Sequence, residues 1–133
     1  MIVDDEATLV FFLKQGLQES DLVCGVENAS SSQEALSKLT LDRYDLLVTD
    51  LRMPGISGLT LIEVARSLYP NIFVILMTAY GSREVEEKAS QLKVDAYLTK
   101  PFPTAKLRNV IAQLLANSDP VARSGVGEPH YEG

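Results

Sequence analysis

Residues Leu46–Pro54 read LLVTDLRMP, and this stretch decides the fold. Leu46, Leu47 and Val48 form an unbroken apolar run, the pattern of a strand covered on both faces. Asp50 ends the run, and Pro54-Gly55 punctuates the chain before a helical pattern begins. In an open parallel sheet the carboxyl ends of the strands border the ligand crevice, so a carboxylate at this edge stands where chemistry is done. A strand-ending aspartate also commonly serves only its neighbouring backbone donors. The other strand ends decide between these readings.

Upstream, Ile2-Val3 is a short first strand ending at Asp4-Asp5. With Met1 it has three residues, so the strand is either short or preceded by residues absent from this chain. A helix follows over Ala7–Glu19. Leu9, Val10, Phe12, Leu13 and Leu17 are its inward stripe, and Phe11 widens that face as core packing. Leu22–Glu27 is the second strand candidate. Ser31 and Glu34 have capping-box spacing before a helix that runs to about Thr40. After the third strand, Gly55 and Gly58 give the MPGISG loop freedom, and Leu59, Ile62, Ala65 and Leu68 form the face of a helix closed by Pro70.

Ile72–Met77 is again wholly apolar, a central fourth strand, and Thr78 ends it. The helix over Ser82–Leu92 has few large apolar residues and is expected to shift easily. Val94–Leu98 is the fifth strand, leading into Thr99-Lys100-Pro101. The last helix starts near Pro103, which suits a first helical position, and Leu107, Val110, Ile111, Leu114 and Leu115 form its face. Five strands alternating with five helices predict an α/β, doubly wound parallel sheet of strand order 2-1-3-4-5. The expected division is one domain over 1–117 and a linker or disordered tail over 118–133, rich in Gly, Pro and Ser.

Composition narrows the function. The chain has 133 residues, enough for one domain with a core. Its formal charge of −6 argues against this segment gripping a nucleic-acid backbone. Cys24 is the only cysteine, which excludes an internal disulfide and reads as a buried small hydrophobe. No apolar run reaches transmembrane length, and Asp4, Asp5 and Glu6 stand where a signal peptide wants bases. A cytoplasmic location without membrane contact is the expectation.

The strand ends together make a chemical set. Asp4 and Asp5, Asp50, Thr78 and Lys100 all fall along one sheet edge. Carboxylates crowded into a cleft repel one another, and a hard divalent cation with oxygen ligands relieves that, which describes Mg²⁺ better than zinc; Mn²⁺ is the alternate. A carboxylate beside a cation, a hydroxyl and a lysine suits phosphoryl transfer, with an acyl phosphate on aspartate as product. That anhydride is labile, which suits a timed signal.

On VDDE at 3–6, TDLRMPGISG at 49–58, MTAY at 77–80 and YLTKPF at 97–102, the chain resembles the receiver domain of two-component response regulators. The resemblance implies that Asp50 is the phosphoacceptor, with Thr78 and Lys100 holding phosphoryl oxygens. It implies direct metal ligation by Asp5, Asp50 and the backbone carbonyl of Arg52, ligation by Asp4 mainly through a bound water, and a cis bond before Pro101. It implies a switch in which the Thr78 hydroxyl moves toward the phosphoryl group and Tyr97 swings into the vacated space. That change remodels the surface of the fourth helix, fifth strand and fifth helix, which also serves as a homodimer contact. The implied partner is a sensor histidine kinase or phosphotransfer protein. The implied activity is phosphoryl uptake and loss rather than conventional turnover, and similarity of TAYGS and LTKPF to receivers with transcriptional output modules suggests transcription as the controlled process.

Arg52 and Tyr80, both bulky, border the approach of hydrolytic water and are expected to prolong the phosphorylated state. Lys93 and Ser32 stand where the family often has glycine, and Pro103 stands where a capping side chain is usual. Three rivals remain. An aspartate-nucleophile phosphatase wants a second acid where Arg52 stands. A flavodoxin-like binder wants a phosphate loop where Asp4-Asp5-Glu6 would repel the phosphate. A pseudo-receiver acting only as an interaction module does not need the full acid, hydroxyl and lysine set.

Overall fold

A computed structural model describes residues 1–20, 25–79, 81–117 and 130–132. The strands are β1 (Ile2–Val3), β2 (Asn28–Ala29), β3 (Leu46–Asp50), β4 (Phe73–Thr78), β5 (Ala96–Thr99) and β6 (His130–Glu132). The helices are α1 (Ala7–Gln18), α2 (Ser32–Leu41), α3 (Gly58–Leu68), α4 (Arg83–Gln91) and α5 (Thr104–Ala116). All pairings are parallel, in the order β2-β1-β3-β4-β5-β6. The predicted order of the first five strands holds. The sixth, paired by its backbone to β5, falls in the stretch read as a linker or disordered tail, so that part of the tail is strand.

Side chains alternate across the sheet, as strand geometry requires. Val3, Leu47, Val74, Leu76 and Tyr97 face one core with Leu39 of α2, Leu61, Ile62 and Ala65 of α3, and Ala89 of α4. Ile2, Val48, Ile75, Met77 and Leu98 face the other with Val10, Leu13 and Leu17 of α1 and Leu107, Val110 and Ile111 of α5. Each face of β3 and β4 is therefore covered, which explains their unbroken apolar runs.

Four local expectations are corrected. β2 forms at Asn28–Ala29; Gly25–Glu27 is not strand, and Leu22–Cys24 lies outside the described residues. Its register follows β1, which offers only Ile2 and Val3 as partners. Phe11 and Phe12 do not pack in the core: they are 62% and 57% exposed, edge to face with each other. The stripe through Val10, Leu13 and Leu17 already fills the space between α1 and the sheet. On α3 Leu61 is buried, whereas Leu68 is exposed. Pro103 occupies the N-cap of α5, one place earlier than predicted, and supplies no capping side chain.

The start of α2 is capped by Ser31, as its spacing suggests, but the box closes one residue early. Ser31 Oγ accepts from Glu34 N–H, and Glu34 Oε2 accepts from Ser30 rather than from the cap residue itself. Lys93, before β5, has φ 57°, the left-handed region that costs a residue with a Cβ about 1–2 kcal/mol. Its carbonyl accepts from Arg66, which also pairs with Asp95 at 3.0 Å and so ties α3 to the start of β5. Lys93→Gly is expected to stabilise the chain by about 0.5–1 kcal/mol, because strain relief outweighs the added freedom of the unfolded chain. Urea denaturation checks this: the midpoint should rise with an unchanged slope.

Candidate functional site

Strand parity brings the acids and the lysine together. Asp4, Asp50 and Lys100 continue the alternation of Ile2, Val48 and Leu98, so all three project at the carboxyl edge on the α1–α5 side. Asp4 and Asp50 are buried and Asp5 is exposed, and one carboxylate oxygen from each lies within 4.8 Å of the others. A buried pair with a third, solvent-facing acid suits a hard cation that keeps several waters. Arg52, whose carbonyl is the further ligand the resemblance implies, is exposed in the loop after β3.

Lys100 holds this cluster together. Its Nζ donates to Asp4 Oδ2 at 2.7 Å and to Glu6 Oε1 at 3.2 Å, and stands 3.4 Å from Asp50 Oδ2. Its side chain is only 10% exposed. Burial disfavours the ammonium, yet Asp4, Asp50 and Glu6 outweigh that and hold its pKa above the ordinary lysine value. Burial raises the Asp50 pKa first and the Asp4 charge raises it second, while Lys100 and the Leu51 N–H pull it back only in part. A carboxyl held this way is poorly compensated until another positive charge arrives.

The backbone fixes Asp50. Leu51 N–H donates to Asp50 Oδ1 at 2.9 Å. Gly58 N–H donates to the Leu51 carbonyl at 2.8 Å. A Cβ on Gly58 would collide with the Asp50 carbonyl oxygen, so glycine lets α3 press against the end of β3. Gly58 therefore matters through this close approach more than through the loop freedom expected of it. Gly55, at φ 95°, is the turn glycine.

Thr78 ends β4, fully buried, on the same face as Leu76, and its carbonyl accepts from Lys100 N–H at 2.9 Å. The Lys100–Pro101 peptide is cis. Tyr97 is 1% exposed, paired in register with Leu76, and its hydroxyl lies under Gly81 in the β4–α4 loop. Burial first and the Glu86 carboxylate second push its phenol above the usual tyrosine range. Tyr80 and Cys24 lie outside the described residues. Sequence reasoning missed Glu6 as a partner of Lys100, 94 residues away, and missed Gly81 over Tyr97. Only the placement of Glu6 directly after the two aspartates hinted at the first.

Residues 1–112 match the response regulator receiver domain, and the chain belongs to that family. It is 36% identical over 101 residues to the DNA-binding transcriptional regulator NtrC of Klebsiella pneumoniae, covering 76% of this chain and 21% of that protein. Among solved structures it is similar to a CheY-like receiver domain protein from Methanospirillum hungatei, with TM-score 0.83, 30% identity, and 88% and 92% of the two chains covered. It is also similar to the response regulator TrrA from Thermotoga maritima, solved in complex with Mg²⁺ and beryllofluoride, with TM-score 0.74, 33% identity, and 85% and 95% covered. The chain spans about a fifth to a quarter of the length of the curated relatives it first matches. Among the described residues no helix is long and apolar enough to cross a membrane.

Proposed function

We propose that this chain is the phosphorylation-activated switch of a response regulator, with Asp50 as acceptor. The observation that carries the reading is the convergence of Asp4, Asp5 and Asp50 within 4.8 Å, with Lys100 Nζ 3.4 Å from Asp50. A phosphohistidine on a sensor histidine kinase or phosphotransfer protein is the donor. An Asp50 oxygen attacks phosphorus, the P–N bond breaks, and the imidazole leaves with its electron pair and takes up a proton. Lys100 and Thr78 hold the phosphoryl oxygens as charge shifts onto them. Asp5, Asp50 and the Arg52 carbonyl would hold Mg²⁺ directly and Asp4 mainly through a bound water, with Mn²⁺ the alternate. The TrrA complex supports this cation, which when bound neutralises the acids and polarises the phosphoryl oxygens. Water later cleaves the acyl phosphate and restores Asp50.

Phosphorylation favours the packing with Thr78 drawn toward Asp50 and Tyr97 inside. To carry a 1:99 population to 99:1, it must favour that packing by about 5.5 kcal/mol. α4 suits the readout, since Ala89 is its only fully buried residue. The α4–β5–α5 surface is the output face, and a homodimer through it would have to accommodate or displace β6. We assign 1–117 to the receiver unit and 118–133 to a linking segment that includes β6, place the protein in the cytoplasm, and take transcription as the controlled process, as the NtrC relative's name suggests. Incubation with acetyl phosphate and Mg²⁺ tests the chemistry. Mass spectrometry should show a gain of about 80 Da, one added HPO₃, that is lost in Asp50→Ala. No gain in the unaltered chain, or an undiminished gain in the variant, would sink the assignment.

A further inference from the structure

Tyr97 lies inside the sheet face with its hydroxyl against the underside of the β4–α4 loop, and the residue above it has no side chain. We propose that Gly81 is a positioning residue for Tyr97: the space left at position 81 admits the phenol, and a side chain there turns the ring outward. An ideal Cβ built on Gly81 overlaps the Tyr97 Oη, whereas Cζ and Cε1 stand at 3.4 and 3.6 Å, ordinary contact distances. The collision is therefore one atom deep and involves only the hydroxyl.

The backbone makes no such demand. Gly55 needs glycine for its φ of 95°, but Gly81 is outside the left-handed region, so alanine fits its main chain. What glycine supplies at 81 is room. The loop is less free to yield than the ring. Directly after Gly81, Ser82 caps α4, its Oγ accepting from Val85 N–H at 3.2 Å and its carbonyl from Glu86 N–H at 2.9 Å. Lifting Gly81 would pull on that cap, whereas Tyr97 leaves by rotation of one side chain. Tyr97 pairs with Leu76 and shares its face with Thr78, two residues further along β4. A change at 81 thus acts at the position coupled to phosphoryl uptake without touching Asp50, Lys100 or the acids.

The coupling part rests on the function proposed above; the placement of the ring does not. Binding that favours the inward ring must weaken when the ring is driven out, because linkage is reciprocal. The test uses the full chain labelled with 3-fluorotyrosine, with Tyr97→Phe assigning the Tyr97 fluorine resonance. In Gly81→Ala that resonance should move to a solvent-exposed position, and beryllofluoride with Mg²⁺ should bind about tenfold more weakly. Gly81→Ala/Tyr97→Phe removes the colliding atom and should bind within about twofold of Tyr97→Phe alone. A Tyr97 resonance unmoved in Gly81→Ala, or a double variant about tenfold weaker than Tyr97→Phe alone, would overturn the proposal. If the unaltered chain binds no beryllofluoride, the phosphoryl switch fails, while the fluorine resonance still decides the role of Gly81.

Discussion

Lys100→Ala is expected to destabilise the cation-free chain by about 3 kcal/mol at neutral pH, the low end of the cost of breaking a buried ion pair. The three N–H donors of Lys100 are shared among Asp4, Glu6 and Asp50, and the Asp4 side chain is fully buried. Without the ammonium, two buried carboxylates face each other at the end of the sheet with no counter-charge. The exposed Asp5 and Glu6 keep one side of the site open to water, which keeps the cost below that of a sealed pair. Mg²⁺ should recover most of this stability, since a cation among the three acids replaces the missing charge. Its affinity should also rise about tenfold in the variant, because the ammonium no longer competes for Asp4. Urea denaturation in EDTA and in Mg²⁺ checks both points. An equal loss in the two conditions would mean that Lys100 acts through packing and not through charge.

That balance of charges was only half legible in the sequence. Runs such as Leu46–Val48 and Ile72–Met77 announce buried strands because both sheet faces are covered, and strand ends then order themselves by topology. Asp4, Asp50, Thr78 and Lys100 could be grouped from sequence for that reason. What periodicity cannot supply is competition for limited space. Phe12 reads as core beside Leu13, but Val10, Leu13 and Leu17 fill the seam first and leave both phenylalanines outside. Short edge strands are equally opaque. β2 takes its position from the two residues of β1 rather than from its own apolar content, and β6 joins the sheet through backbone pairing in a stretch with no apolar run. Glu6 and Gly81 matter through atoms of residues far along the chain, Lys100 and Tyr97, which no local pattern encodes.

The acceptor itself provides the second large effect, with a sign opposite to that of an aspartate whose pKa is depressed by an ion pair or hydrogen bonds. Burial and Asp4 raise the Asp50 pKa above its ordinary value of 3.8 despite Lys100 and the Leu51 N–H. The folded chain therefore holds the Asp50 proton more tightly than the unfolded chain does. As pH rises from 3.8 through the raised native value, the unfolded state releases that proton first, and the folded state loses stability over the window. Above the window the penalty stays in full. Asp50→Asn removes it, so in EDTA at pH 7 the variant should be more stable than the unaltered chain by about 1 kcal/mol, the scale of relieving one unfavourable charge. The difference should shrink as pH falls through the window and vanish below 3.8. Mg²⁺ should close the gap at pH 7 from the other side, because it stabilises the chain that retains all three acids more than the variant. Combining the substitutions sharpens the test. If Lys100 offsets the Asp4–Asp50 repulsion, Asp50→Asn must gain more in the Lys100→Ala background than in the unaltered one. Thermal melts of the four proteins in EDTA measure this, and strict additivity would show that Lys100 and Asp50 do not feel each other's charge across 3.4 Å.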